Sequence, residues 1–234
     1  MIDIHCHLLF GVDDGSDSIE ESAAMLERAA RQGVTKIILT PHYRHRMFSY
    51  PKEEILAHFE ALKPYAQAAG IGIYLGCEYH VDTQIIEHME SGRTLTLAGG
   101  SYVLTEYSHI TEYPYIIRMT QTLLLNGYRP VIAHAERYPA ITEAPERAGE
   151  LRKMGAMIQV NSDAVLGKDG RAAKNFCKKL LKAGNVDVVA SDSHGIARRV
   201  CSLGECESYL SKKYGPQTAQ LLLSRNPGKI LLDV

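Results

Sequence analysis

Residues 34–42 read VTKIILTPH, and the fold turns on how that run is understood. Val34, Ile37, Ile38 and Leu39 form a short apolar, β-branched stretch typical of a strand, and it ends on a histidine. The same grammar recurs along the chain in IDIHCH (2–7), IGIYLGCE (71–78), SYVLTE (101–106), RPVIAH (129–134), AMIQVN (156–161) and VDVVASDSH (186–194). Longer helical patterns separate these runs, so the seven strands predict parallel βα units rather than hairpins.

The first helix has a clear start signal. Ser18 and Glu21 fit a capping box, and Ile19, Ala23, Leu26 and Ala30 recur at helical spacing before Gly33 stops it. Gly70, Gly127, Gly155 and Gly184 repeat that punctuation, each just before a strand, where a left-handed residue is needed. The architecture repeats although the sequence does not.

Each strand ends on polar residues: His5 and His7, His42, Glu78, Glu106, His134, Asn161, then Asp192 with His194. In a closed parallel barrel all carboxyl ends meet at one mouth, so a series in sequence becomes a ring in space. A single histidine at a strand end is an ordinary hydrogen-bonded loop residue. A ring of imidazoles and carboxylates is different, because each unpaired buried charge would cost several kcal/mol without a cation. The donor set suits Mn, Fe or Zn, and its size fits two or three divalent ions. His5 and His7 share one face of an extended strand, with Cys6 on the other. Asp13 and Asp14 of the VDDG turn are both within reach as donors, or are plain turn carboxylates.

Composition narrows the classes further. A chain of 234 residues can build one domain, and a net charge of -1 argues against nucleic-acid binding or a polybasic membrane anchor. No apolar run approaches the ~20 residues that span a bilayer, and the reading is a cytoplasmic protein without membrane insertion. Five scattered cysteines without a C-x-x-C suggest neither a disulfide framework nor a thiolate zinc site. A cysteine-based tyrosine phosphatase would carry an arginine six positions after its nucleophile. Here those positions hold Val12, Thr83, Ala183, Glu207 and Lys212, which excludes that mechanism.

DIHCH, TPH, VIAHAERY and VASDSH together resemble the PHP (polymerase and histidinol phosphatase) superfamily. Within it the chain is similar to the bacterial protein-tyrosine phosphatases encoded with capsule and exopolysaccharide genes, as QVNSDAV and NPGKILLD also suggest. The resemblance spans residues 1–234 and implies a distorted (β/α)7 TIM-like barrel forming a single phosphatase domain. It implies a first ion on His5, His7 and Asp192, with Glu78 bridging to a second on Glu106 and His134. A third would lie on His42, His194 and an aspartate of the turn, with Asp14 favoured over Asp13. Arg137 and Arg199 match arginines near the substrate phosphate, although Arg198 stands beside the latter.

The expected reaction is hydrolysis of phosphotyrosine by metal-activated water, with manganese the favoured ion. The loop YRHRMFSY (43–50) offers cations and apolar groups for the phosphate and the ring. The implied partner is the phosphotyrosine-bearing tail of a bacterial tyrosine kinase that controls capsule or exopolysaccharide synthesis, and a homo-oligomer is compatible with the sequence. A histidinol-phosphate type phosphatase and a non-catalytic metal-binding regulatory module are the alternatives.

Overall fold

The computed structural model describes residues 1–233. All seven expected strands are present, two of them in two pieces. They are β1 (Ile2–Asp3), β2 (Lys36–Leu39) continued by β3 (His42–Tyr43), β4 (Gly72–Leu75) continued by β5 (Glu78–His80), β6 (Tyr102–Glu106), β7 (Arg129–Ile132), β8 (Met157–Asn161) and β9 (Val188–Ala190). Both breaks have local causes. Pro41 has no N–H to give the ladder, while its carbonyl accepts from the Glu78 N–H at 3.2 Å. At Gly76 a Cβ would stand 2.9 Å from Leu97 Cδ2, so the chain there runs too close to its neighbour for any side chain.

Pairing is parallel throughout, in the orders β1-β2-β4 and β3-β5-β6-β7-β8-β9. The ring closes where the chain just after β1 meets the chain just after β9. His5 O accepts from the Asp192 N–H and the His7 N–H donates to Ser193 O, both at 2.9 Å, with Cys6 opposite Ser193. Below this seam the Asp3 carboxylate substitutes for ladder bonds, accepting from the Ser191 N–H at 3.0 Å and from its hydroxyl at 2.5 Å.

Among the described residues eleven α-helices surround the barrel: α1 (Ile19–Arg31), α2 (Lys52–Ala68), α3 (Ile85–Glu90), α4 (Tyr113–Leu125), α5 (Pro139–Thr142), α6 (Glu146–Met154), α7 (Ser162–Leu166), α8 (Arg171–Ala183), α9 (Leu203–Tyr214), α10 (Pro216–Gln220) and α11 (Asn226–Leu231). Ser18 caps α1 as expected, its hydroxyl accepting from the Glu21 N–H at 3.2 Å. The reciprocal half of the box is displaced by one residue, because the Glu21 carboxylate takes the N–H of Asp17 instead of Ser18. The five glycines read as stops all adopt positive φ, from +69° to +118°.

Two apolar layers sandwich the strands. Ile4, Ile38, Leu104, Val131, Ala133, Val188 and Ala190 fill the barrel, with Leu97 and Ile230 in the same cluster. Ile37, Leu39, Val103, Ile132, Ile158, Val160 and Val189 face the helices. The alternation is that expected of strands covered on both sides. Among the described residues no helix is long and apolar enough to cross a membrane.

Candidate metal centre

The structure brings all nine candidate ligands together at the carboxyl end of the barrel. They fall into overlapping sets whose donor atoms lie within 4.8 Å of one another: His7, Asp14, His42 and His194; His5, His134 and Asp192; His5, His7 and Glu78; His42, Glu78 and Glu106. Glu78 is the hub, with Oε2 3.1 Å from nitrogens of His5, His7 and His42 and Oε1 2.8 Å from His134 Nε2. His5 Nε2 and His7 Nε2 are only 3.2 Å apart. The sets cross the grouping that the resemblance implied in three respects: His134 lies with His5 and Asp192 as well as beside Glu78 and Glu106, His42 also groups with Glu78 and Glu106, and His7 also groups with Asp14, His42 and His194.

Strand alternation delivers several of these side chains. Leu104 and Glu106 share the inward face of β6, and Asp192 follows Val188 and Ala190 at the same period. His134 does not obey that rule, since Val131 and Ala133 point into the barrel and the next residue should point out. Its backbone is left-handed, φ 29° and ψ 57°, and this turn brings the imidazole inward. Asp192 is also left-handed, at φ 51°. No sequence signal announced either.

A second layer holds the ligands. His7 Nδ1 lies 2.7 Å from Asp13, whose carboxylate also accepts the N–H groups of Gly15 and His42 at 3.0 Å. The choice left open in the turn is thereby divided. Asp14, half exposed, sits in the donor cluster 3.4 Å from His42 and 3.6 Å from His194, while Asp13 orients His7 from behind. His5 Nδ1 meets Gln159 at 3.1 Å, His134 Nδ1 meets the Tyr138 hydroxyl at 3.0 Å, and His194 Nδ1 donates to Asp192 O at 3.0 Å. Such outer partners fix which ring nitrogen faces the site. The sequence reading missed Gln159 and Tyr138; both lie in the quoted runs AMIQVN and VIAHAERY, where a polar residue among apolar ones was the available signal.

The electrostatics are those of donors crowded without water. Burial pushes His42 down to about 4, and burial with the charge of His7 pushes His194 down to about 2. Burial and the neighbouring Glu78 push Glu106 up to about 8. Burial also works against charge on His7, but contact with Asp13 overrides it and lifts the imidazole to about 10, with Asp13 held at about 2. Despite burial, His5 foremost keeps Glu78 and Asp192 ionised well below the usual carboxylate range.

Five atoms in this cluster are buried with no hydrogen-bond partner: His42 Nδ1, Glu78 Oε2, Glu106 Oε2, Asp192 Oδ1 and His194 Nε2. Buried polar groups are ordinarily satisfied, and five orphaned lone-pair donors spread over these overlapping sets fit divalent cations. No thiolate joins them; all five cysteines are free and buried, and Cys6 Sγ lies 3.1 Å from Ser193 Oγ on the opposite side of its strand.

Above the cluster is a cavity of about 190 Å³, lined also by Arg44, Met47, Phe48, Arg137 and Arg199. Arg137 and Arg199 each place one guanidinium nitrogen on the same atom, Asp192 Oδ2, at 2.8 and 2.7 Å. Arg199, and not its neighbour Arg198, therefore lines the site. The loop 43–50 folds back on itself through paired backbone bonds between Arg44 and Phe48, and the Phe48 ring stacks on His42 with centroids 5.0 Å apart.

Comparison with known proteins agrees with this picture. The family described as Capsular polysaccharide synthesis, CpsB/CapC matches residues 1–232. The tyrosine-protein phosphatase CpsB of Streptococcus pneumoniae is 37% identical over 240 residues, covering 100% of this chain and 99% of that protein. A solved structure from work on YwqE of Bacillus subtilis and CpsB of Streptococcus pneumoniae, described as unique metal-dependent tyrosine phosphatases, superposes with a TM-score of 0.90 at 30% identity. It covers 100% of this chain and 95% of its own. The histidinol phosphate phosphatase of Lactococcus lactis shares the fold at a TM-score of 0.62 and 13% identity, covering 95% of this chain and 94% of its own. Ligand ring, arginine-lined cavity and full-length similarity lead to one conclusion: the chain belongs to the CpsB/CapC family, the tyrosine phosphatases of capsular polysaccharide synthesis.

Proposed function

We propose that the whole chain acts as one domain that hydrolyses phosphotyrosine, with two or three divalent ions, manganese foremost, held by His5, His7, Asp14, His42, Glu78, Glu106, His134, Asp192 and His194. The observation that carries this reading is the set of five orphaned donors beneath a cavity lined by three arginines. Divalent ions bound there lower the pKa of coordinated water and neutralise phosphoryl oxygens.

The protein's own groups do the rest. Arg137 and Arg199 are pre-positioned by their shared contact with Asp192, and their remaining N–H groups are available to the phosphoryl oxygens as charge-assisted donors. Arg44 contributes a third positive charge from the loop. Phe48, held flat against His42, and Met47, 61% exposed, offer an apolar wall for a tyrosine ring. A phenol of pKa ~10 leaves as an anion more readily than an alkoxide, so no acid need be placed beside it. By the same reading the substrate is the phosphorylated tail of a tyrosine kinase of capsule synthesis.

The test is turnover by manganese-loaded and chelator-stripped protein on a phosphotyrosine peptide, a phosphoserine peptide and histidinol phosphate. Metal-dependent hydrolysis of the first is expected to dominate. Hydrolysis of histidinol phosphate alone would overturn the assignment.

A further inference from the structure

Strand β8, between β7 and β9, supplies no candidate ligand, yet its inward face carries two buried amides beside the cluster. Gln159 is fully buried and Asn161 nearly so. Their bonds form a chain with a fixed direction. The backbone N–H of His134 donates to Gln159 Oε1 at 2.8 Å, Gln159 Nε2 donates to Asn161 Oδ1 at 2.8 Å, and Asn161 Nδ2 donates to Asp192 Oδ2 at 2.8 Å.

Neither end of this chain can reverse. A backbone N–H only donates, and an ionised carboxylate only accepts. If Gln159 were turned over, its NH2 would face the His134 N–H; if Asn161 were turned over, its carbonyl would face the Asp192 carboxylate. With both amides fixed, Gln159 Oε1 is an acceptor, and His5 Nδ1, 3.1 Å away, must be the donor. His5 is then left with Nε2 as the nitrogen that faces the cluster, 3.1 Å from Glu78 Oε2 and 3.3 Å from Asp192 Oδ1. At the other end Asn161, Arg137 and Arg199 all occupy Asp192 Oδ2, so that Oδ1 remains for the cluster. Asn161 is itself anchored, its N–H donating to the buried Glu136 carboxylate at 3.0 Å.

We infer that Gln159 and Asn161 are positioning residues: a directional amide relay that sets the ring tautomer of His5 and the free oxygen of Asp192 together, from a strand that touches no ion. This rests on the metal-site reading above and assigns a task to the QVN motif, which the ligand ring leaves unused. The relay orients two candidate ligands from opposite sides of the barrel seam, keeping the Nδ1 proton on His5 so that a cation need displace only the proton on Nε2, in line with the 10- to 100-fold effects typical of outer partners in metal sites.

The test uses zinc, which is diamagnetic, titrated into chelator-stripped full-length protein, with histidine ¹⁵N spectra recorded on the loaded form. In the wild type His5 is expected to show a protonated Nδ1 and a metal-bound Nε2. Gln159→Met keeps the bulk and removes all three side-chain bonds; it is expected to weaken zinc binding by about 10- to 100-fold and to lose the His5 signature. Asn161→Ala is expected to keep the His5 signature while zinc binding weakens by about 10-fold or more. Melting of the stripped proteins is followed in parallel. A purely structural role would lower melting temperature but leave zinc affinity and the His5 spectrum unchanged, and that result overturns the relay. So does a wild-type His5 bound through Nδ1, a readout that needs no variant to fold. Failure of the wild type to bind zinc or manganese at all would instead remove the metal-site reading on which the relay depends.

Discussion

His134 adopts a left-handed backbone that costs about 1–3 kcal/mol in a residue with a Cβ, and it does so where the imidazole must turn against the strand period. Strain of this kind is invisible in a sequence. The candidate donors stood out by type, because histidines and carboxylates close apolar runs in the sequence; the partners behind them did not. Asp13 and Asp14 are adjacent and identical, and only the turn of the chain makes one an orienting group and the other a donor. At this scale the charge states make a prediction for the stripped protein. Below about pH 6.5 the unfolded chain protonates His42 and His194 but the folded one does not, since burial holds them at about 4 and about 2. Stability is thus lost as pH falls. Above that point folded His7, at about 10, and Glu106, at about 8, keep protons that the unfolded chain releases, and stability is lost as pH rises. The melting temperature of chelator-treated protein should therefore peak at about pH 6–7, measured by calorimetry across pH 4–10. The arginines make a second. Arg199→Ala should lower kcat on a phosphotyrosine peptide by about 100-fold or more, whereas Arg198→Ala should stay within about twofold. Steady-state kinetics of the pair check it.

Among the elements, the strands were the most legible and their interruptions the least. A run such as VTKIILTPH reads as one strand, and the break at Pro41 follows from a missing donor whose importance depends on which neighbour lies alongside. Gly76 is similar: nothing around it signals a turn, and its φ is ordinary, but the closeness of Leu97 and Ile38 leaves no room for a methyl group. Gly76→Ala should cost about 1–3 kcal/mol in urea unfolding, an overpacking penalty without direct loss of a ligand. The loop 43–50 belongs to this scale too, because its tight return between Arg44 and Phe48 places cation and ring over the cavity as a unit. Phe48→Ala should reduce the kcat/KM advantage of an aryl over an alkyl phosphate by about 10-fold, through lost contact with the leaving ring. A comparison of phosphotyrosine with phosphoserine peptides measures it.

For the molecule as a whole, the alternation of strand and helix patterns pointed to parallel βα units, and the family resemblance supplied the barrel that gathers the polar strand ends at one mouth. What could not be read is how the ring shuts, because that depends on Asp3, a carboxylate that looks unremarkable beside His5 and takes up two bonds from Ser191. A cluster made from every quarter of the barrel should respond globally to its ions. Manganese at about 100 times its dissociation constant should add about 2.7 kcal/mol, and so raise the melting temperature by about 5–10 °C over chelated protein. The seam between the segments after β1 and β9 also sets a timetable for synthesis. His5 and His7 leave the ribosome long before Asp192 and His194, and the two segments are held side by side by a handful of bonds. Closing so long a loop is slow, and until it closes the early histidines form no complete cage for an ion. A nascent chain that stops short of β9 therefore carries seven of the nine candidate donors but not the seam that sets Asp192 beside His5.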